Sequence, residues 1–249
     1  MNTFTNRIIQ ESYQKVYRKN RFLKSRIHVY ESEDTSNKLI YDESDPICVK
    51  LGFRKYKYNN VHYCNIENNK RVDYIYIGSF NNDKLACFAS DNFLWFDMET
   101  GDRTEPPREI EGDFNCSKIS RYLTSLDGAP EKVVGNFYCY ECEDLTSLYG
   151  APRYVNGDFN CIHCEKLHSL EGAPMLVGGD FDCSRCPNLT SLHGSPREVG
   201  GDFNCYECGK LTSLMGSPRE VGGDFNCSST NILRGIPDHI GGKLILPFY

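Results

Sequence analysis

Gly179-Asp180-Phe181-Asp182-Cys183-Ser184-Arg185-Cys186-Pro187-Asn188-Leu189-Thr190-Ser191-Leu192-His193-Gly194-Ser195-Pro196-Arg197-Glu198-Val199-Gly200 is one period of a repeat, and its reading decides the fold. The block that opens it recurs from Gly112, Gly135, Gly157, Gly201 and Gly223, with successive spacings of 23, 22, 22, 22 and 22 residues. A shortened copy begins at Gly242, 19 residues after Gly223. A second phrase, Leu-Thr-Ser-Leu-x-Gly-(Ala/Ser)-Pro-x-x-Val, lies between the blocks, as in Leu189 to Val199 and Leu211 to Val221. Irregularities gather at the ends of the array, where a stacked repeat has an outer face that no neighbour covers. Eighteen of the 21 glycines lie from Gly112 onward, so composition changes where the repeat begins.

Within the period, Phe181 and Cys183 sit two apart, the strand alternation, with Asp180, Asp182 and Ser184 on the opposite side. Stacked copies about 4.8 Å apart make a parallel sheet with a Phe column and a Cys column inside. Cys186, Leu189, Leu192 and Val199 supply further inward positions. Gly194 and Pro196 turn the chain, and because proline fixes φ and lacks an amide donor the return arm is expected to be extended or polyproline-like. Each coil thus carries one strand and one compact arm, with Gly200-Gly201 at a tight corner.

The register Phe181-x-Cys183-x-x-Cys186-x-x-Leu189-x-x-Leu192 is similar to the leucine-rich-repeat signature, and the full phrase resembles short repeats of tailed-bacteriophage and large-virus proteins. The resemblance covers residues 106–249. It implies a mostly β fold: a right-handed leucine-rich-repeat solenoid with a parallel concave sheet, in a protein that binds another protein. A bacterial-effector likeness is weaker, since the paired Leu-Pro arm of those repeats is here Gly-x-Pro. Fold alone does not name the partner.

Residues 1–105 read differently. A helix capped by Thr3 or Thr5 is expected to run to about Phe22, with Ile8, Ile9, Tyr13 and Val16 along one side. Val72, Tyr74 and Tyr76 alternate as in a strand. Turn signals at Asn59-Asn60, Asn68-Asn69, Asn81-Asn82-Asp83, Asp91-Asn92 and Gly101-Asp102 point to hairpins of a small antiparallel region capping the array. The acidic stretch 31–45 is expected to loop into solvent.

With 25% charged and 39% hydrophobic residues in 249, the composition is that of a globular chain. No apolar run approaches a membrane span, and Met1 to Arg7 lacks an export signal, so a cytoplasmic setting is expected, the host cytoplasm or the virion for a viral protein. Net charge is −6, with seven Lys/Arg against Glu11 alone in residues 1–26 and 11 basic against 18 acidic side chains in residues 111–249. Nucleic acid is therefore expected only through the basic N-terminal helix, with Arg7, Lys15, Arg18, Lys19, Arg21, Lys24 and Arg26.

Four CxxC pairs, Cys139/Cys142, Cys161/Cys164, Cys183/Cys186 and Cys205/Cys208, have spacing that zinc could use. Ile119 and Thr230 occupy the second position in other coils, and neither can replace a thiolate, so buried reduced thiols are the preferred reading and no metal or other cofactor is expected. Calcium on the Asp column is disfavoured because the repeat is not the nonapeptide type. Histidines are scattered and Thr-Ser recurs in most coils, and no phosphate loop, nucleophile elbow or HExxH motif is found. The chain is read as a non-enzyme, with an effector activity in residues 1–105 and a zinc array as the alternatives.

Four polar columns follow the strand outward. The first is Asp113, Asn136, Asp158, Asp180, Asp202 and Asp224, and the second Asn115, Tyr138, Asn160, Asp182, Asn204 and Asn226. Both have structural uses, through carboxylates that accept corner amides and carboxamides that bond along the stack. The third column (Ser117, Tyr140, Ile162, Ser184, Tyr206, Ser228) and the fourth (Lys118, Glu141, His163, Arg185, Glu207, Ser229) vary from coil to coil. The expected partner site is accordingly Tyr138, Tyr140, Glu141, Ile162, His163, Arg185, Tyr206 and Glu207, where residue types common at binding hot spots are free of the repeat.

Overall fold

The computed structural model describes residues 27–31, 38–42, 45–51, 53–58, 60–67, 70–80, 84–89, 93–119, 123–228 and 234–246. The helix anticipated over residues 3–22, with its basic run, lies outside them, as do Ser229 and Thr230. Two compact units make up the chain, 1–88 with 96–104, and 89–95 with 105–249.

The first eight strands form a meander hydrogen-bonded in sequence order, β1 (Ile27–Glu31), β2 (Lys38–Asp42), β3 (Arg54–Tyr58), β4 (Asn60–Glu67), β5 (Lys70–Phe80), β6 (Leu85–Ala89), β7 (Phe93–Asp97) and β8 (Arg103–Thr104), of which Ala89 and Phe93–Trp95 count with the second unit and the rest with the first. Pairing from β1 through β5 is antiparallel. The turn signal at Gly101-Asp102 falls between β7 and β8, the other four rest on positions outside the described residues, and the Val72–Tyr76 alternation lies in β5. The acidic stretch 31–45 departs from expectation. It holds the end of β1 and all of β2, because the apolar Leu39-Ile40-Tyr41 supplies strand propensity between the acidic ends. A short helix, α1 (Pro46–Leu51), precedes β3, and edge-to-face contacts among Phe53, Phe88 and Phe96 at 5.2–5.6 Å form the aromatic core.

The second unit is a parallel β-solenoid of about six turns. Phe114–Asn115, Phe137–Tyr138, Phe159–Asn160, Phe181–Asp182, Phe203–Asn204, Phe225–Asn226 and Leu244–Ile245 form one seven-stranded sheet. Register is kept at every step, so Phe meets Phe down the stack. The six phenyl rings are fully buried and lie 5.2 Å apart with interplanar angles of 3–9°. Phe93 and Trp95, which belong to this unit, cover the first ring: Phe93 packs edge-on to Phe114 at 5.0 Å and Trp95 lies 6.1 Å from it. Trp95 Nε1 donates to the Gly128 carbonyl at 2.8 Å.

The return arm is extended, as expected, but it is a second strand of the coil rather than an unpaired arm. Glu109–Ile110, Lys132–Val133, Tyr154–Val155, Leu176–Val177, Glu198–Val199, Glu220–Val221 and His239–Ile240 form a second parallel sheet of seven strands. Each coil has two strands, because the residues after the proline aim their amides at the preceding coil, as in Arg197 N to Met175 O at 2.9 Å and Gly200 N to Val177 O at 2.8 Å. An arm of polyproline type would leave those amides to water. Turns join the sheets. Leu189 N closes on Cys186 O at 3.1 Å, Ser195 N closes on Leu192 O at 3.0 Å, and Gly194 between them takes φ +88°. That left-handed angle is why the Leu-x-Gly-(Ala/Ser)-Pro phrase needs glycine.

Candidate functional site

The first polar column builds a ladder. Oδ1 of Asp113, Asn136, Asp158, Asp180 and Asp202 each accepts the backbone amide of the next member at 2.7–2.8 Å, and Asp224 accepts Lys243 N at 2.7 Å. The acceptor reaches one coil onward rather than to its own corner. The second column also differs from expectation. Asn115, Asn160, Asp182 and Asn226 turn their Oδ1 atoms to the amide two residues ahead at 2.9–3.2 Å, instead of bonding along the stack. Each makes a local turn that ends the two-residue strand. These columns are part of the fold.

The thiols are too. Cys142, Cys164, Cys186 and Cys208 donate their S–H groups to the carbonyls of Cys116, Cys139, Cys161 and Cys183 in the preceding coil at 3.2–3.3 Å. Burial pushes Cys161, Cys164, Cys183 and Cys205 well above the ordinary thiol range, with Cys186 at about 12 and Cys208 at about 11. A metal would need thiolates, the form that burial disfavours. Among the described residues no group of three or more His, Cys, Asp or Glu side chains is arranged to hold a metal ion.

The third and fourth columns form a ridge at the turn after the Phe strand. The structure brings the anticipated residues together there: Tyr140, Ile162 and Tyr206 half-buried in one row, Glu141, His163, Arg185 and Glu207 exposed in the next, and Tyr138 half-buried in the second column beside them. One feature of the fourth column is not legible from sequence. Lys118, Glu141, His163, Arg185 and Glu207 all adopt φ between 56° and 64°, the left-handed region that glycine or asparagine would occupy at less cost. Each of these five residues holds a conformation that disfavours an L side chain.

The ridge carries one arrangement twice. Lys118 Nζ lies 5.6 Å over the Tyr140 ring and 3.8 Å from Glu141 Oε2. Arg185 Cζ lies 5.8 Å over the Tyr206 ring, and its Nε is 3.0 Å from Glu207 Oε2. In both, a serine precedes the cation, Ser117 or Ser184, and its hydroxyl is buried, that of Ser184 against the Asp182 carboxylate. Ser184 is fully buried. In the sequence these are separate variable positions, and the signal that joins them is a Ser-(Lys/Arg) pair followed one coil later by Tyr-Glu. Two carboxylates, Asp113 and Asp158, add to partial desolvation in pushing the Tyr138 phenol up. Desolvation also raises Asp182.

A separate groove of about 480 Å³ runs over the Val-strand sheet, lined by Tyr154, Leu176, Glu198, Glu220, His239 and the glycines 178, 200 and 222, and no ridge residue enters it. No helix among the described residues is long and apolar enough to cross a membrane. No family model, characterised protein or solved structure matches the chain.

Proposed function

We propose that this chain is a non-enzymatic protein-interaction module of leucine-rich-repeat type, with a protein partner held on the turn ridge formed by Tyr138, Tyr140, Glu141, Ile162, His163, Arg185, Tyr206 and Glu207. The observation that carries the reading is the contrast between columns. Phe, Cys, Leu, Val, Asp and Gly repeat because each has a packing or hydrogen-bonding task, whereas the ridge residues change from coil to coil, and Glu141, His163, Arg185 and Glu207 among them hold a backbone angle that costs about 1–2 kcal/mol per L-residue. Half-buried tyrosine beside exposed arginine on a rigid frame is what recognition of a folded or extended partner uses. The phrase-level likeness to phage and large-virus repeats supports a part in virion assembly or in occupying a host protein. Affinity capture from host or infected cells tests the reading. Tyr140→Ala, Arg185→Ala and Tyr206→Ala should each lose the captured protein while Glu198→Ala on the other sheet keeps it. Equal capture by all four would refute it.

A further inference from the structure

We propose that the Val-strand sheet is a docking face for a second copy of this chain, the two sheets packing antiparallel about a dyad that passes over Met175 and Leu176. No ridge residue takes part, so the proposal goes beyond the interaction reading above. Counted from Glu109–Ile110 to His239–Ile240, Leu176–Val177 is the fourth of the seven strands. A dyad there turns the first strand onto the partner's seventh, the second onto its sixth and the third onto its fifth.

Shape gives the first argument. The residue after the inward Ile or Val is Glu111, Val134 and Asn156 in the first three coils, and glycine in the last four, Gly178, Gly200, Gly222 and Gly241. From Val134 to Gly241 each of these residues donates its amide to the coil before at 2.8–3.1 Å, so they form one row, and its early members show that the row takes a side chain. Over the glycines the surface is instead the trough of about 480 Å³. The dyad sets Asn156 over the partner's Gly200 and Val134, which is 37% exposed, over the partner's Gly222. Side chains of the filled half thus enter the trough of the empty half, twice over.

Charge gives the second. Arg108 meets the partner's Asp238, Glu131 its Arg219 and Lys132 its Glu220, while Glu109 meets His239 and Met175, 38% exposed, meets itself. Within one chain Arg108 lies 3.5 Å from Glu131 and Lys132 lies 3.1 Å from Glu109, whereas Arg219, Glu220 and Asp238 make no ion pair among the described residues. The lone charges of the last coils therefore face the paired charges of the first. Arg153 opposite Arg197 is the one like-charged meeting, and Glu198, 3.3 Å from Arg197, offsets it. Other registers fail. Half a coil in one direction sets Arg108 on Arg219 and Glu109 on Glu220, and half a coil in the other sets Arg153 on Arg219 and Glu131 on Asp238, repulsions that select the central register. Seven strands make a face about 29 Å long, and with a width of three residues it is smaller than a standard interface, so the dimer is reversible with a Kd of about 10–100 µM.

Sedimentation equilibrium of the full chain between about 5 and about 300 µM in low salt reads the association. The parent should pass from monomer to dimer over that range, at least about threefold more weakly in about 0.5 M salt. Lys132→Glu and Glu220→Lys each oppose like charges across the dyad and should each weaken the dimer at least about tenfold, and the double variant should return to within about fivefold of the parent. In one chain these two residues are four coils, about 19 Å, apart, so only contact between copies can produce the rescue. Met175→Lys adds a cation between Arg153 and Arg197 at the dyad and should leave a folded monomer, its fold checked by circular dichroism. A parent that stays monomeric, a dimer indifferent to the single charge reversals or to Met175→Lys, or a double variant that is not rescued overturns the inference.

Discussion

Asp180 accepts the backbone amide of Asp202 through Oδ1 at 2.7 Å, and a Cβ on Gly201 would lie 2.1 Å from that same oxygen. The Gly-Asp pair is thus a single device. Aspartate reaches forward to fix the next coil, and the glycine before the next aspartate leaves the space it reaches through. Gly135, Gly157, Gly179, Gly223 and Gly242 stand in the same relation to the acceptor one coil back, at 2.1–2.4 Å. None has a left-handed φ, so it is close approach that demands glycine there.

Gly201→Ala therefore forces backbone and carboxylate apart and is expected to cost about 1–3 kcal/mol, the range of overpacking. Gly209→Ala is the control. A Cβ there meets nothing within 4 Å and φ is not positive, so the change should be neutral or stabilising by up to about 1 kcal/mol. Urea midpoints of the two variants check both, and equal midpoints would remove the close-approach account.

The ladder itself predicts a split between two substitutions of one residue. Asp180→Asn keeps an oxygen acceptor, as Asn136 does in its own coil with Asp158 N at 2.7 Å. Its stability should stay within about 0.5 kcal/mol of the parent. Asp180→Ala removes the acceptor of the Asp202 amide and should cost about 0.5–1.5 kcal/mol. Thermal unfolding of the pair measures the difference, which vanishes if water replaces the carboxylate.

How far these relations were legible follows from what kind of fact each is. Phe181 and Cys183 declare the strand because alternation is local, and the 22-residue period declares stacking because identical residues must meet. The Val72–Tyr76 alternation marked β5 for the same local reason. The second sheet was hidden because Glu198-Val199 is too short for a period and follows proline, and its strand character comes from amides bonded to another coil. Arg185 was legible as variable, but its φ of 57° was not, since arginine gives no sign of a left-handed turn. The repeated arrangement on the ridge escaped because a Ser-Arg step and a Tyr-Glu step 22 residues later become neighbours only after the coil is closed.

The buried thiols set a pH dependence. Cys186 and Cys208 titrate at about 12 and about 11 in the folded chain, above the ordinary value of 9.0, because burial penalises the thiolate. Raised folded values mean that the unfolded chain releases protons first. The contribution to stability is complete below about pH 9 and is lost as pH climbs through the folded values. The urea midpoint should be flat near neutrality and fall steadily above about pH 9. Iodoacetamide near neutral pH should label the urea-unfolded chain and leave the array cysteines of the native chain unmodified. A midpoint that rises above pH 9, or rapid native labelling of Cys186, contradicts the buried-thiol core.

His163 separates stability from recognition in a single residue. It is exposed, holds φ 58°, and sits in the ridge between Glu141 and Arg185. Glycine at this position relieves a left-handed backbone that costs an L-residue about 1–2 kcal/mol, against an entropy loss of about 0.5–1 kcal/mol in the unfolded chain. His163→Gly should accordingly raise stability by up to about 1 kcal/mol while weakening partner capture through the lost imidazole. Activity-bearing residues are commonly retained at such a cost to the fold. Calorimetry and the capture assay on the same preparation test the pairing. A variant that is less stable than the parent would show that the turn tolerates the side chain without strain, and one that captures the partner undiminished would take His163 out of the recognition surface.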